Sequence, residues 1–169
     1  GKDYVLDEKR TNVGSNLKAK DISLISLGDI GINGSNIVAT NEASIQAKRD
    51  ISIVAGKDSI LHKESHSKSK GFGRSESSTD IKYDEKLVPT QIIGKDVNIV
   101  SEKNTTVVGS NLLAENKLNI GAKEDINIIS EKQGSSEVHQ KTKTGFMKLS
   151  GRMSLEDNLK YKNISSNVE

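Results

Sequence analysis

Three sets of residues in this 169-residue chain have types and spacings that could do chemistry. Asp21, Asp29, Asp50, Asp96 and Asp125 each stand directly before an Ile or Val that opens an apolar run. Carboxylates repeated at intervals are how calcium-dependent polysaccharide lyases and nonapeptide calcium loops hold their metal. The nonapeptide pattern needs paired glycines and an Asp every nine residues, and neither is present. An Asp just ahead of a strand can instead accept from turn amides, and capping is the reading its position supports. The second set is His62-Lys63-Glu64-Ser65-His66. It lacks the His-Glu-x-x-His order of a zinc helix and sits in a segment without helical pattern, so its histidines read as solvated loop residues. There is no cysteine to build another metal site.

The third set is cationic. Lys63, Lys68, Lys70 and Arg74 surround Phe72, and Lys141, Lys143, Lys148 and Arg152 surround Phe146. Such surfaces would meet sulfated glycan or lipopolysaccharide phosphate by charge, with the phenylalanine supplying apolar area. The same lysines would equally serve to keep two loops soluble, or to guard the flank of a sheet against aggregation. No cluster combines a nucleophile, a base and an orienting group, so no catalytic set, metal or cofactor is expected.

The elements that must position these residues come from a repeat. Gly109–Ser130 copies the pattern of Gly34–Ala55 at an offset of 75 residues, with matches that include Gly34/Gly109, Ser35/Ser110, Asn36/Asn111, Ile45/Ile120, Asp50/Asp125, Ile51/Ile126 and Ile53/Ile128. A further Gly-Ser-Asn stands at Gly14–Asn16, ahead of Asp29-Ile30-Gly31-Ile32. A unit of roughly 20 residues is the size at which a solenoid buries each unit's apolar face against its neighbours. Inside each unit apolar and polar residues alternate, as in Asp50-Ile51-Ser52-Ile53 and Leu118-Asn119-Ile120-Gly121-Ala122. Period two means strands with one buried face. Three short strands and three tight corners per unit describe a turn of a parallel β-helix, with strands expected near 22–26, 30–33, 37–39, 43–47 and 51–55. Ile45, Ile51, Ile53, Ile120, Ile126 and Ile128 should point inward, with Ser52 and Asn127 outside. Asn36, Asn41, Asn111 and Asn116 recur at corners and should stack as amide ladders. Asn104-Thr105-Thr106 and Asn163-Ile164-Ser165 read as incidental glycosylation sequons.

Composition agrees with a narrow column. Three tyrosines, two phenylalanines and 33% hydrophobic residues are too few large side chains for an ordinary sandwich core. The 25 basic and 23 acidic residues are well mixed, which argues against a nucleic-acid partner. No apolar run approaches the ~18–20 residues of a membrane span. In chain order, Gly1–Val13 reads as an incoming partial coil, because it parallels Gly94–Asn111. Its opening Gly-Lys-Asp recurs at Gly56 and Gly94, so the chain is read as starting inside a repeat array. The register breaks over about 62–90 and again over about 132–169, where loops or hairpins leave the column, and Pro89 marks a return to it. The whole of 1–169 is thus expected to be one β-helix fragment with two excursions.

Gly-Ser-Asn-(Leu/Ile)-x-Ala, (Lys/Arg/Glu)-Asp-Ile-x-Ile and a following Ser/Lys-rich segment with a Gly-Phe tip together resemble the haemagglutinin repeats of filamentous haemagglutinin-like exoproteins. They resemble in particular the second repeat region of contact-dependent growth-inhibition effectors. The resemblance spans Gly1 to about Arg152. It implies an all-β, right-handed parallel β-helix in a secreted, cell-surface filament that leaves through an outer-membrane transporter and meets a host or target-cell surface as an adhesin or toxin carrier. Two other readings stand beside it. A β-helical carbohydrate-active enzyme would need a cleft lined by carboxylates and bases, and a phage-tail-like fibre would be trimeric.

Overall fold

The alternation seen in the sequence becomes strand throughout. The computed structural model describes residues 2–71, 73–144, 151–164 and 166–168, with side chains described for all of these except 143–144, 151–157, 163 and 167–168. The described residues form strands and no helix. The chain divides into two compact units, one of residues 12–57, 87–132 and 163–169 and the other of 1–11, 58–86 and 133–162.

The first of these units holds two parallel sheets. Long strands β2 (Asn16–Ser26), β4 (Asn36–Ala47), β8 (Gln91–Ser101) and β10 (Asn111–Ala122), with the short β14 (Asn167–Val168), lie in the order β14-β10-β8-β4-β2. Four-residue strands β3 (Ile30–Asn33), β5 (Ile51–Val54), β9 (Thr105–Val108) and β11 (Ile126–Ile129) lie in the order β11-β9-β5-β3. Long and short strands alternate along the chain, and each pair stacks on the one before. The two expected strands at 37–39 and 43–47 are one strand. A register irregularity between Ala39 and Glu42 replaces the expected corner, because a bulge lets backbone pairing run on where side-chain alternation lapses.

Stacking like on like builds the core. Ile45 pairs with Ile99, Ala43 with Val97 and Ile37 with Ile92, while Ile53 pairs with Val107. All of these are buried. Each fully buried Ile contributes about 1.5–3 kcal/mol relative to exposure. Ile45, Ile51 and Ile53 face inward as expected, and Ile120 is partly buried against them. Ile126 and Ile128 do not follow: they are 46% and 48% exposed. Their strand ends its sheet and pairs only with β9, so among the described residues no further strand closes over it.

The excursions leave and re-enter at one corner. In an uninterrupted turn Ser35 Oγ donates to Asn33 O at 2.8 Å, two residues away. At the first excursion Thr90 Oγ1 donates to Val54 O at 2.7 Å across 36 residues, and at the second Ser166 Oγ donates to Ile129 O at 2.8 Å across 37. The turn's own hydrogen bond therefore closes each neck.

The other unit is an antiparallel sheet. It contains β1 (Lys2–Arg10) and most of β6 (Gly56–Ser69), β7 (Ser75–Val88), β12 (Glu131–Thr144) and β13 (Gly151–Ile164), in the order β1-β6-β7-β12-β13. The expected partial coil at 1–13 is corrected here, because β1 pairs antiparallel with β6, from Lys2 opposite Ser67 to Arg10 opposite Ser59. Asp3 and Asp7 then lie opposite His66 and His62, a charge match that stacking in the column would not supply. β7 pairs antiparallel with β12 in the same register moved on by one repeat: Ser77 faces Thr142 as Lys2 faces Ser67.

Candidate contact surface

At the turns before the short parallel strands, aspartates tie one turn to the next. Asp50 N–H donates to Asp29 Oδ1 at 3.1 Å, Asn104 N–H and Nδ2 donate to Asp50 Oδ1 at 3.0 and 3.1 Å, and Asp125 N–H donates to Asn104 Oδ1 at 3.1 Å. The capped amide belongs to the turn before the neighbouring strand rather than to the same turn. These bonds, the backbone one first, hold the Asp50 carboxyl below its ordinary range. Asn104, read as part of a sequon, is a rung of this ladder. The amide ladders expected at Asn41 and Asn116 are amide–carboxylate pairs instead: Asn41 Nδ2 donates to Asp21 Oδ1 at 2.6 Å and Asn116 Nδ2 to Asp96 Oδ1 at 2.7 Å. Asn36 and Asn111 lie in one row with Gln91 on the long-strand sheet. Among the described residues no three His, Cys, Asp or Glu side chains converge as a metal-holding group.

The histidines, expected in a solvated loop, sit on strands. His62, Glu64 and His66 alternate along β6 and so share a face of the sheet. His62 Nδ1 lies 2.5 Å from Asp7 Oδ1, and His66 Nδ1 lies 3.1 Å from Asp3 Oδ1 while its Nε2 lies 2.6 Å from Glu64 Oε1. On β12, His139 Nδ1 lies 2.5 Å from Asp80 Oδ1 and Nε2 3.1 Å from Glu137 Oε1. The hydrogen bond to the facing aspartate, ahead of the neighbouring glutamate, raises the pKa of each ring.

The cations of the two excursions meet on one carboxylate. Lys70 Nζ lies 2.6 Å from Glu76 Oε2 and Lys141 Nζ 3.2 Å from Glu76 Oε1. Lys68 and Lys141 line one groove with Asp3, His66, Glu76 and Ser78. Arg74 is exposed at the tip, where its N–H donates to Gly71 O at 3.1 Å. Lys63 is half-buried and, by strand alternation, belongs to the opposite face from His62 and Lys68. Phe72, Phe146 and Lys148 lie outside the described residues, as do the side chains of Lys143 and Arg152, which belong to β12 and β13. The surface is less purely cationic than the lysine count suggests. Glu64, Glu76, Asp80 and Glu137 interleave with the bases, and the signal for this was Asp80-Ile81-Lys82-Tyr83-Asp84, whose period of two puts charges on one face and Ile81 and Tyr83 on the other.

A family model described as Hemagglutinin repeat matches residues 2–146 and, in a second match, residues 70–167. No curated protein and no solved structure matches the chain.

Proposed function

The chain belongs to the hemagglutinin-repeat family of surface adhesin-like exoproteins, and from that membership we propose that it is a non-catalytic shaft and contact segment of a secreted filament. In this reading the stacked parallel strands are coils of a right-handed β-helix, and the excursions carry recognition. The parent protein is an adhesin or a contact-dependent toxin carrier, exported through an outer-membrane transporter. The observation that supports contact through the excursions is the convergence of Lys68, Lys70 and Lys141 from two different excursions on one groove and one carboxylate. Column corners, by contrast, spend their polar groups on one another. An anionic surface such as sulfated glycan or lipopolysaccharide phosphate would compete with Glu76 for these ammonium groups.

The test replaces Lys68, Lys70 and Arg74, together with Lys141, Lys143 and Lys148, by Ser and measures retention on heparin and on lipopolysaccharide-bearing cells. Retention should fall, and the wild type's retention should weaken steeply as salt shortens the Debye length below ~8–10 Å. If the variant is retained as well as a specifically binding wild type, the excursions only solubilise the shaft.

A further inference from the structure

The antiparallel sheet contains two kinds of strand neighbour. β6 and β7 are joined directly by the tip at residues 70–74, whereas β1 reaches β6 only through residues 11–55 and β7 reaches β12 only through residues 89–130. The β1·β6 seam therefore joins β1 to the β6–β7 hairpin and the β7·β12 seam joins that hairpin to β12, and either can part without breaking the hairpin.

All three histidines of the chain lie on these seams. Each faces an aspartate on the neighbouring strand: His66 and His62 of β6 face Asp3 and Asp7 of β1, and His139 of β12 faces Asp80 of β7. Within the β6–β7 hairpin the polar contacts include Ser65 Oγ with Thr79 Oγ1 at 3.2 Å and Lys70 with Glu76, neither of which involves a histidine. Copying of the repeat does not account for the pattern. Moved on by one repeat, the pairs Asp3/His66 and Asp7/His62 become Ser78/Lys141 and Lys82/Glu137, while Val5/Glu64 becomes Asp80/His139. The backbone register is the same but the histidine has changed place, and it still meets an aspartate.

The charges around each ring favour its cation. His62 is faced by Asp7 from β1 and Glu64 on its own strand, while on β7 Lys82 pairs with Asp84 at 3.9 Å. His66 is faced by Asp3 and Glu64, with Lys68, Glu76 and Lys141 around the same groove. His139 is faced by Asp80 from β7 and Glu137 on its own strand, Lys141 on the same face is paired with Glu76, and the charged residues of β13 at 152, 156 and 157 have side chains outside the described residues. With the rings neutral, Asp3, Asp7 and Glu64 would crowd one face of the first seam, and like charges on adjacent strands repel.

We propose that the seams are acid-closing contacts: protonation of His62 and His66 locks β1 against β6, protonation of His139 locks β7 against β12, and deprotonation loosens each seam while the β6–β7 hairpin persists. Each ring titrates above its ordinary value because of the facing aspartate. Its contribution is therefore complete below the unfolded value of 6.5 and is lost as pH rises through the raised folded value.

Amide hydrogen exchange on the full chain, corrected for the intrinsic pH dependence, tests this. Amides of β1 that bond to β6 should be severalfold better protected at pH 5 than at pH 8, while those of Ile45 and Ile99 in the parallel sheets stay constant. The double variant Asp3→Asn, Asp7→Asn should flatten the β1 difference, with Ile45 and Ile99 protection reporting that it has folded. If it does not fold, His62→Gln with His66→Gln takes its place. Equal β1 protection at both pH values, an unchanged pH dependence in the variant, or a parallel change at Ile45 and Ile99 would each overturn the proposal.

Discussion

Asp50 shows how little a single corner residue has to spare. Its Oδ1 takes both the backbone and side-chain donors of Asn104, and its own N–H is capped by Asp29. Removing it leaves Asn104 N–H without its acceptor and cuts the ladder in the middle. Asp50→Ala should therefore lower the melting temperature clearly, whereas Asp50→Asn should be mild, because Asn104 itself serves Asp125 as the next rung with an amide oxygen. The depressed carboxyl adds a pH signature: its contribution is present above the unfolded value of 3.8 and is lost as pH falls through the lower folded value. Melting curves of wild type and Asp50→Asn between pH 2 and 6 check both points, and the substitution should remove this part of the acid sensitivity. Glu102 works in the same way after β8, bridging Lys48 at 2.6 Å and Lys123 at 3.2 Å from the turns after the flanking β4 and β10.

Among the strands, position in the sheet outweighs sequence. Ile53 and Ile128 are matched residues of the repeat, yet one is fully buried and the other half exposed. β5 is flanked by β3 and β9, while among the described residues β11 has only β9. Truncating Ile45 or Ile53 to Ala should cost about 2–5 kcal/mol, from lost transfer energy and the cavity left in a stack that cannot collapse around it. The same change at Ile126, where Ile→Asp would otherwise be expected to unfold adjacent coils, should cost about 1 kcal/mol or less, because half of its surface already meets water. Urea denaturation of the three alanine variants measures the contrast. A loss at Ile126 equal to that at Ile53 would mean that β11 is covered in solution.

At the scale of the whole chain, the turns between the parallel strands tolerate long insertions. Thr90 closes on Val54 as Ser35 closes on Asn33, and Ala55 N–H donates to Val108 O as Gly34 N–H does to Val54 O. Replacing residues 55–89 by one glycine should then restore a plain corner. Glycine is required because Gly34 and Gly109, at the equivalent place, have φ of 49° and 54°, a region that β-carbon-bearing residues adopt only with strain. The shortened chain should keep the exchange protection of Ile45, Ile99 and Val107, and loss of that protection would show that the column depends on the excursion. Long insertions at one corner are tolerable because loop-closure entropy grows only slowly with length.

The sequence alone determined the repeat length, the all-β character, the inward faces of Ile45, Ile51 and Ile53, and the corners where Asp, Asn and Gly recur. These are local properties: alternation assigns the faces of a strand, and turn-forming residues act within a few positions. Only the tertiary structure decided which residues meet. That His62 and His66 face Asp7 and Asp3, that Lys70 and Lys141 share Glu76, that Asn104 joins the aspartate ladder and that Ile126 is exposed all depend on the register between segments far apart in the chain. Nothing local encodes that register. It follows from how backbone ladders align whole strands, and a shift of one residue would exchange every neighbour on both faces.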